Sequence, residues 1–180
     1  LRGKAIVVKI PQSMNNDFGN LQQDDNRMKK VQEDIEKEMK IMYYIPKHDH
    51  IVFALGKARF SPWIVLPYYS HGSLQTVMKK FMKDNIIFGS KIRLQIMLDC
   101  FHGLHHLHSY FFLHGDIKPQ NILIDENMRA KITDFGSCEF MVEDEKIIPY
   151  NEFFMNGFTP DYVDPKIFRP IDNTGNNDDN

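Results

Sequence analysis

Hydrophobic and polar positions alternate in blocks along this chain, and the blocks predict a definite order of elements. Ala5–Ile10 is a short β-branched run bounded by Gly3 and Pro11 and predicts a strand. Pro11 to Asn20 is polar and Asn-rich and predicts a loop. From about Asp24 to Ile45 the apolar residues Met28, Val31, Ile35, Met39 and Met42 recur at spacings of three and four, which places them on one helical stripe that Pro46 ends. Strand-like runs follow at Ile51–Leu55 and Trp63–Leu66. A short helix is predicted over Leu74–Met82, and a longer one from Ser90, read as its N-cap, to His108. The stripe of that longer helix is Ile92, Ile96, Cys100, Leu104 and Leu107, with Gly103 alongside. Ile122–Ile124 and Lys131–Thr133 are short strand candidates, and beyond them the pattern is irregular. The order predicts an α+β fold with a small sheet-bearing lobe ahead of a more helical one.

Composition narrows the classes. Apolar residues make up 42% of the 180, enough for a core, while a net charge of −2 gives no argument for a nucleic-acid partner. Two distant cysteines, Cys100 and Cys138, argue against a disulfide framework and for an intracellular setting, cytoplasmic or nuclear. No apolar run is long enough to predict a membrane span. The polar stretch Asn173–Asn180 predicts disorder.

The densest polar cluster is His114-Gly115-Asp116-Ile117-Lys118-Pro119-Gln120-Asn121, and Asp134-Phe135-Gly136 begins 13 residues past Asn121. Asp116 can accept a proton from an alcohol, and Lys118 can neutralise a phosphate oxygen. Asn121 and Asp134 offer the hard oxygens that magnesium prefers. Lys9, upstream, is a second phosphate-binding cation. Together these suit in-line phosphoryl transfer, in which positioning and charge neutralisation carry most of the catalysis.

In this order and spacing, Val7-Val8-Lys9, His114-Gly115-Asp116 with Lys118 and Asn121, and Asp134-Phe135-Gly136 resemble the protein kinase superfamily. The resemblance implies a bilobal kinase-like fold, incomplete in both lobes, that uses ATP and Mg2+ on a protein substrate. It implies an N-lobe over residues 1–66, a hinge at 67–73, a partial C-lobe over 74–172 and a polar tail at 173–180. Lys9 would contact the α- and β-phosphates, Asp116 and Lys118 would be catalytic, and Asn121 and Asp134 would hold the metal. Leu66, Pro67 and Tyr69 would line the adenine side, with Leu123 assigned to nucleotide binding as well. Among the candidate acidic partners for Lys9 (Glu33, Asp34, Glu36, Glu38), Glu38 sits nearest the apolar stripe, roughly 60° from its centre, and matches the family pattern.

Lys118 and the stretch Thr159–Lys166 resemble Ser/Thr kinases. Other positions depart from the family. Gly115 stands where an Arg usually pairs with an activation-loop phosphate, which implies activity independent of that switch. Val7 replaces a small residue against adenine, and Lys166 replaces a Glu. The resemblance further implies a Gly-rich loop ahead of residue 1, helices after residue 180, and flanking domains or a regulatory partner. The 180 residues alone are therefore expected to be poorly stable and weakly active. The rival reading is a pseudokinase acting as a scaffold or allosteric partner. Small-molecule phosphotransfer on a related fold is a weaker third.

Blander roles are expected elsewhere. His102, His105 and His106 lie opposite the apolar stripe and read as a solvated face rather than a metal site, although His102 and His106 have the i, i+4 spacing. His114 reads as a hydrogen-bonding residue, Met28, Met39 and Met42 as core, and Cys138 as an unreactive thiol.

Overall fold

The computed structural model describes residues 5–10, 21–59, 61, 63–140, 142–143 and 146–147, with backbone only for 21–27, 142–143 and 146–147. The expected loop at 11–20, the Thr159–Lys166 stretch and the tail at 173–180 lie outside the described residues.

Strand β1 (Ile6–Lys9) leads to helix α1 (Leu21–Tyr44), then β2 (Gly56–Lys57) and β3 (Ile64–Pro67). These strands form an antiparallel sheet in the order β1-β3-β2, with Lys9 opposite Ile64 and Val7 opposite Leu66. Ile64 and Leu66 are buried, as period-two alternation requires of a strand with one face on a core. The apolar run Ile51–Leu55, expected as a strand, is not one. Only Ile51 makes a bridge, to Ile132, while Val52 N–H donates to Ile132 O at 2.8 Å. These residues serve as a tether to the second lobe, and the strand forms further on, at Gly56.

The stripe of α1 is buried from Val31 through Ile35, Met39 and Met42 to Ile45, with Ile41 and Glu38 joining it. Met28 departs from the expectation: it is exposed, because α1 buries its stripe only from Val31 onward.

The second lobe carries α2 (Leu74–Lys83) and α3 (Ser90–Ser109), then β4 (Phe112–Leu113), β5 (Ile122–Ile124), β6 (Ala130–Ile132) and β7 (Glu139–Phe140). Beyond these, β8 (Val142–Glu143) pairs with β9 (Lys146–Ile147), so the chain after β6 is more regular than its pattern suggests. Ser73 caps α2 by accepting from Thr76 N–H at 3.2 Å. The N-cap of α3 is Gly89 rather than Ser90, and no side chain caps it.

The fully buried positions of α3 are Ile96, Asp99, Gly103 and Leu107, while Ile92, Cys100 and Leu104 are half-buried. The buried line is thus turned about one residue from the apolar stripe. Gly103 explains part of that turn. A Cβ there would lie 2.8 Å from the carbonyl oxygen of His50 and 2.8 Å from Ile132 Cδ1, so only glycine lets the 45–52 loop close onto α3. One core cluster joins Ile35, Met39 and Met42 of α1 with Leu66, Leu107, Ile132 and Phe135, and so holds the two lobes together.

Candidate active site

Lys9 ends β1 on the sheet face that looks toward α1. Its Nζ donates to Glu38 Oε1 at 2.7 Å and Oε2 at 2.8 Å, and also to Asp134 Oδ1 at 2.7 Å. Glu38 is buried, whereas Glu33 and Asp34 are exposed and Glu36 bonds outward to Gln32 and Lys57. Periodicity decides this difference, since only Glu38 lies on the packed side of α1. Burial works against the Lys9 ammonium, but Glu38 and Asp134 outweigh it and raise the pKa above its usual value.

Asp134 is reached by an unusual backbone. Its φ of 68° is left-handed, a conformation that costs a non-glycine residue about 1–2 kcal/mol. The twist sends the carboxylate toward Lys9 while Phe135, immediately after, is 1% exposed in the inter-lobe core. The carboxylate itself remains 43% exposed.

The second group of predicted residues converges on Asp116. Lys118 Nζ lies 2.6 Å from Asp116 Oδ2, and Asn121 Nδ2 donates to Asp116 O and Oδ2, each at 2.9 Å. Asn121 is tied to the Asp134 segment through its backbone carbonyl, which accepts from Thr133 N–H at 3.0 Å. His114 holds this loop from inside. Its Nδ1 accepts from Asp116 N–H at 3.3 Å, so in the neutral ring Nε2 carries the hydrogen and donates to Thr133 O at 3.0 Å. Burial lowers its pKa and keeps it neutral, which suits a brace and not a proton-transfer group. Gly115 has φ +77°, and a Cβ there would stand 2.5 Å from Ser137 O. A larger residue could not occupy this position without moving the segment after Asp134.

The residues expected as a hinge run from the end of β3 to the start of α2. Leu66 is buried, Pro67 and Tyr69 are half-buried, and Ile124 N–H donates to Gly72 O at 2.8 Å. Leu123 bridges to Ser73 and packs on the inter-lobe core. Burial pushes the Tyr69 hydroxyl up to about 12, with Asp125 and Glu126 adding to it. A separate cavity of about 700 Å³ lies between α1 and β7, lined in part by Tyr44, Phe112 and Phe140, and it shares no residue with the Lys9 cluster. Cys138 lines that cavity but is buried, and burial raises its thiol to about 12, so it is inert at neutral pH.

The family model of the protein kinase domain matches residues 18–178. This chain belongs to the protein kinase family. Among the similar proteins, the probable serine/threonine-protein kinase drkD of Dictyostelium discoideum is 33% identical over 139 residues, 75% of this chain and 10% of that protein. Serine/threonine-protein kinase MRCK alpha of Homo sapiens is 32% identical over 113 residues, 61% of this chain and 6% of that protein. Serine/threonine-protein kinase PDK1 of Cryptococcus neoformans is 34% identical over 112 residues, 61% of this chain and 9% of that protein. The kinase chain therefore spans a tenth or less of the length of these three relatives. Among its described residues, no helix is long and apolar enough to cross a membrane.

Sequence reasoning passed over one network of this kinase domain. Asp99 is fully buried and accepts from Arg129 Nε and Nη2 at 2.8 and 2.7 Å, from Ala130 N–H at 3.0 Å and from Gln95 Nε2 at 2.9 Å. It fixes α3 to the β5–β6 turn beneath the site. The signal was present: Asp99 falls between Ile96 and Gly103 at helical spacing, a carboxylate inside the buried line.

Proposed function

We propose that this domain transfers the γ-phosphate of ATP to a serine or threonine hydroxyl of a protein. The observation that carries the reading is the double engagement of Lys9, which pairs at once with Glu38 and with Asp134. That geometry suits a cation held ready for phosphate oxygens, since two carboxylates fix it while a third of its side chain stays open. Residues 1–66 are read as the N-lobe, 67–73 as the hinge and 74–172 as the C-lobe part, with the tail at 173–180.

On this reading Pro67 and Tyr69 offer backbone groups to adenine, Leu66 closes the back of its pocket and Leu123 its floor. Asp116 orients the substrate hydroxyl and takes its proton, and Lys118 steadies the moving phosphate. Asn121 and Asp134 fit magnesium by their chemistry. Both offer hard oxygen ligands, and Asn121 meets Asp116 through its amide N–H, not through its oxygen. Among the described residues no group of three or more His, Cys, Asp or Glu could hold a metal by itself. Two protein ligands completed by water and phosphate oxygens are the usual pattern for magnesium, not for calcium or zinc. Bound there, the ion would neutralise phosphate charge. Serine or threonine is favoured over tyrosine by Lys118 and by the printed names of the relatives.

The test is substrate phosphorylation by the protein at its full natural length, wild type against Asp116→Asn and Asp134→Asn. Each substitution is expected to lower kcat by about 10²–10⁴. Equal phosphorylation by all three would overturn the enzyme reading and leave the pseudokinase scaffold.

A further inference from the structure

The loop at 45–52 joins α1 to the sheet and rests on α3. It is held by backbone bonds to β6, with Ile132 N–H donating to His50 O at 2.9 Å, and by His106 Nε2 donating to Pro46 O at 2.9 Å. Four histidines meet there, two from the loop and two from α3. The rings of His48 and His106 stack at 4.5 Å with 19° between planes, His48 and His50 lie 5.6 Å apart, and His50 and His102 lie 5.9 Å apart. Of the i, i+4 pair on α3, expected to face solvent, His102 is exposed, while His106 is half-buried against the loop.

The hydrogen bonds commit His48 to the neutral form, while the N–H groups that His50 and His106 donate persist in either form. His48 Nδ1 accepts from His50 N–H at 3.2 Å, so a proton at Nδ1 would abolish that bond. His50 Nδ1 donates to Ala130 O at 2.9 Å, which leaves Nε2 to accept from Arg129 Nη2 at 3.4 Å. His106 spends its Nε2 hydrogen on Pro46, so added charge would sit at Nδ1, in the stack.

The surrounding charges do not neutralise a proton taken up by the His48–His106 stack, whereas Asp99 Oδ1, 3.6 Å from His50 Nε2, would favour one on His50. The loop contributes Lys47 and Asp49, and β6 with its turn contributes Arg129 and Lys131. From α3 come Asp99, His102, His106 and Tyr110, and Asp99 is already engaged by Arg129, Ala130 and Gln95. Asp49 is the carboxylate that favours a charged His48.

We propose that His48, stacked on His106, is a proton-operated latch. Neutral, it holds the 45–52 loop on α3; protonated, it releases the loop, together with the C-terminal end of α1 that carries Glu38. Burial lowers the His48 pKa, and His106 and His50 lower it further. The released loop therefore takes up a proton more readily than the docked one. The latch is at full strength above about pH 6.5 and weakens as pH falls below it. The latch does not depend on the kinase reading, although its effect on the Lys9–Glu38 pair does.

The test is amide hydrogen exchange on the protein at its full natural length, comparing Val52 in the loop with Ile124 in β5. From about pH 7.5 to about pH 5.5, protection at Val52 is expected to fall about three- to tenfold more than protection at Ile124. His48→Gln keeps an acceptor for His50 N–H without titrating near neutrality, and should remove the excess. The same excess in His48→Gln, or none in the wild type, overturns the latch. Should His48→Gln fail to fold, an NMR titration of the wild-type rings decides. A His48 titration below about 6.5 supports the latch, and one at the unperturbed value overturns it.

Discussion

Two carboxylate–cation networks in this domain use the same chemistry to opposite ends. Around Asp99, every nearby donor is spent: Arg129 clasps it with two bonds, Ala130 and Gln95 supply two more, and the side chain is wholly buried. Around Asp134, the carboxylate bonds Lys9 and yet stays 43% exposed, and its backbone sits in a left-handed conformation. The first arrangement is satisfied and can only hold things still. The second keeps polar capacity facing outward, at a cost in strain, which is what a site for a charged ligand requires. Burial alone would have picked out the wrong carboxylate as functional.

Substitutions can break this contrast. The largest effect is expected from Lys9→Met, which should lower kcat/KM for phosphorylation by about 10²–10⁴. The substitution also leaves the buried Glu38 carboxylate unpaired, so the readout is activity of the folded variant, and a kcat/KM near wild type would show that the Lys9 cluster is only structural. Asp99→Ala leaves the buried Ala130 N–H without its acceptor and should cost about 1–3 kcal/mol in chemical denaturation, with kcat nearly unchanged where the protein stays folded. Acid should separate the two networks as well. Burial alone would raise the Asp99 pKa, but Arg129, Ala130 and Gln95 outweigh it and hold it at about 2. A depressed folded pKa gives stability that is complete above the unfolded value near 3.8 and is lost as pH falls toward 2. Allowing for the partly exposed guanidinium, that contribution is about 1–2 kcal/mol, and the wild type should lose it against Asp99→Asn between those limits. The smallest effect is Gly103→Ala. Alanine normally strengthens a helix by about 1 kcal/mol, but here the Cβ meets His50 O, so a loss of about 1–2 kcal/mol is expected. A gain in stability would show that the 45–52 loop is free to move away.

Much of the architecture was readable because it rests on local rules. The stripe of α1 from Val31 onward and the strands at Ile6–Lys9 and Ile122–Ile124 follow from side-chain period and backbone chemistry. What escaped was decided by packing. Ile51–Leu55 has the composition of a strand, but Val52 N–H donates to β6 and Leu55 N–H to β3, so the run becomes a tether between the two. The buried line of α3 turned because a loop carbonyl and an arginine approach it from segments far away in sequence, and no window on the helix contains them. His106 was read as solvated for the same reason.

The sequence by itself determined the family, the order of the elements and the types of residue available for the chemistry, because spacing along one chain is a local property. The tertiary structure decided that Asp134 also meets Lys9, that it approaches through a left-handed turn, and that histidines from two segments share one contact. These depend on distances between residues far apart in sequence, 125 positions for Lys9 and Asp134, which only the folded chain sets.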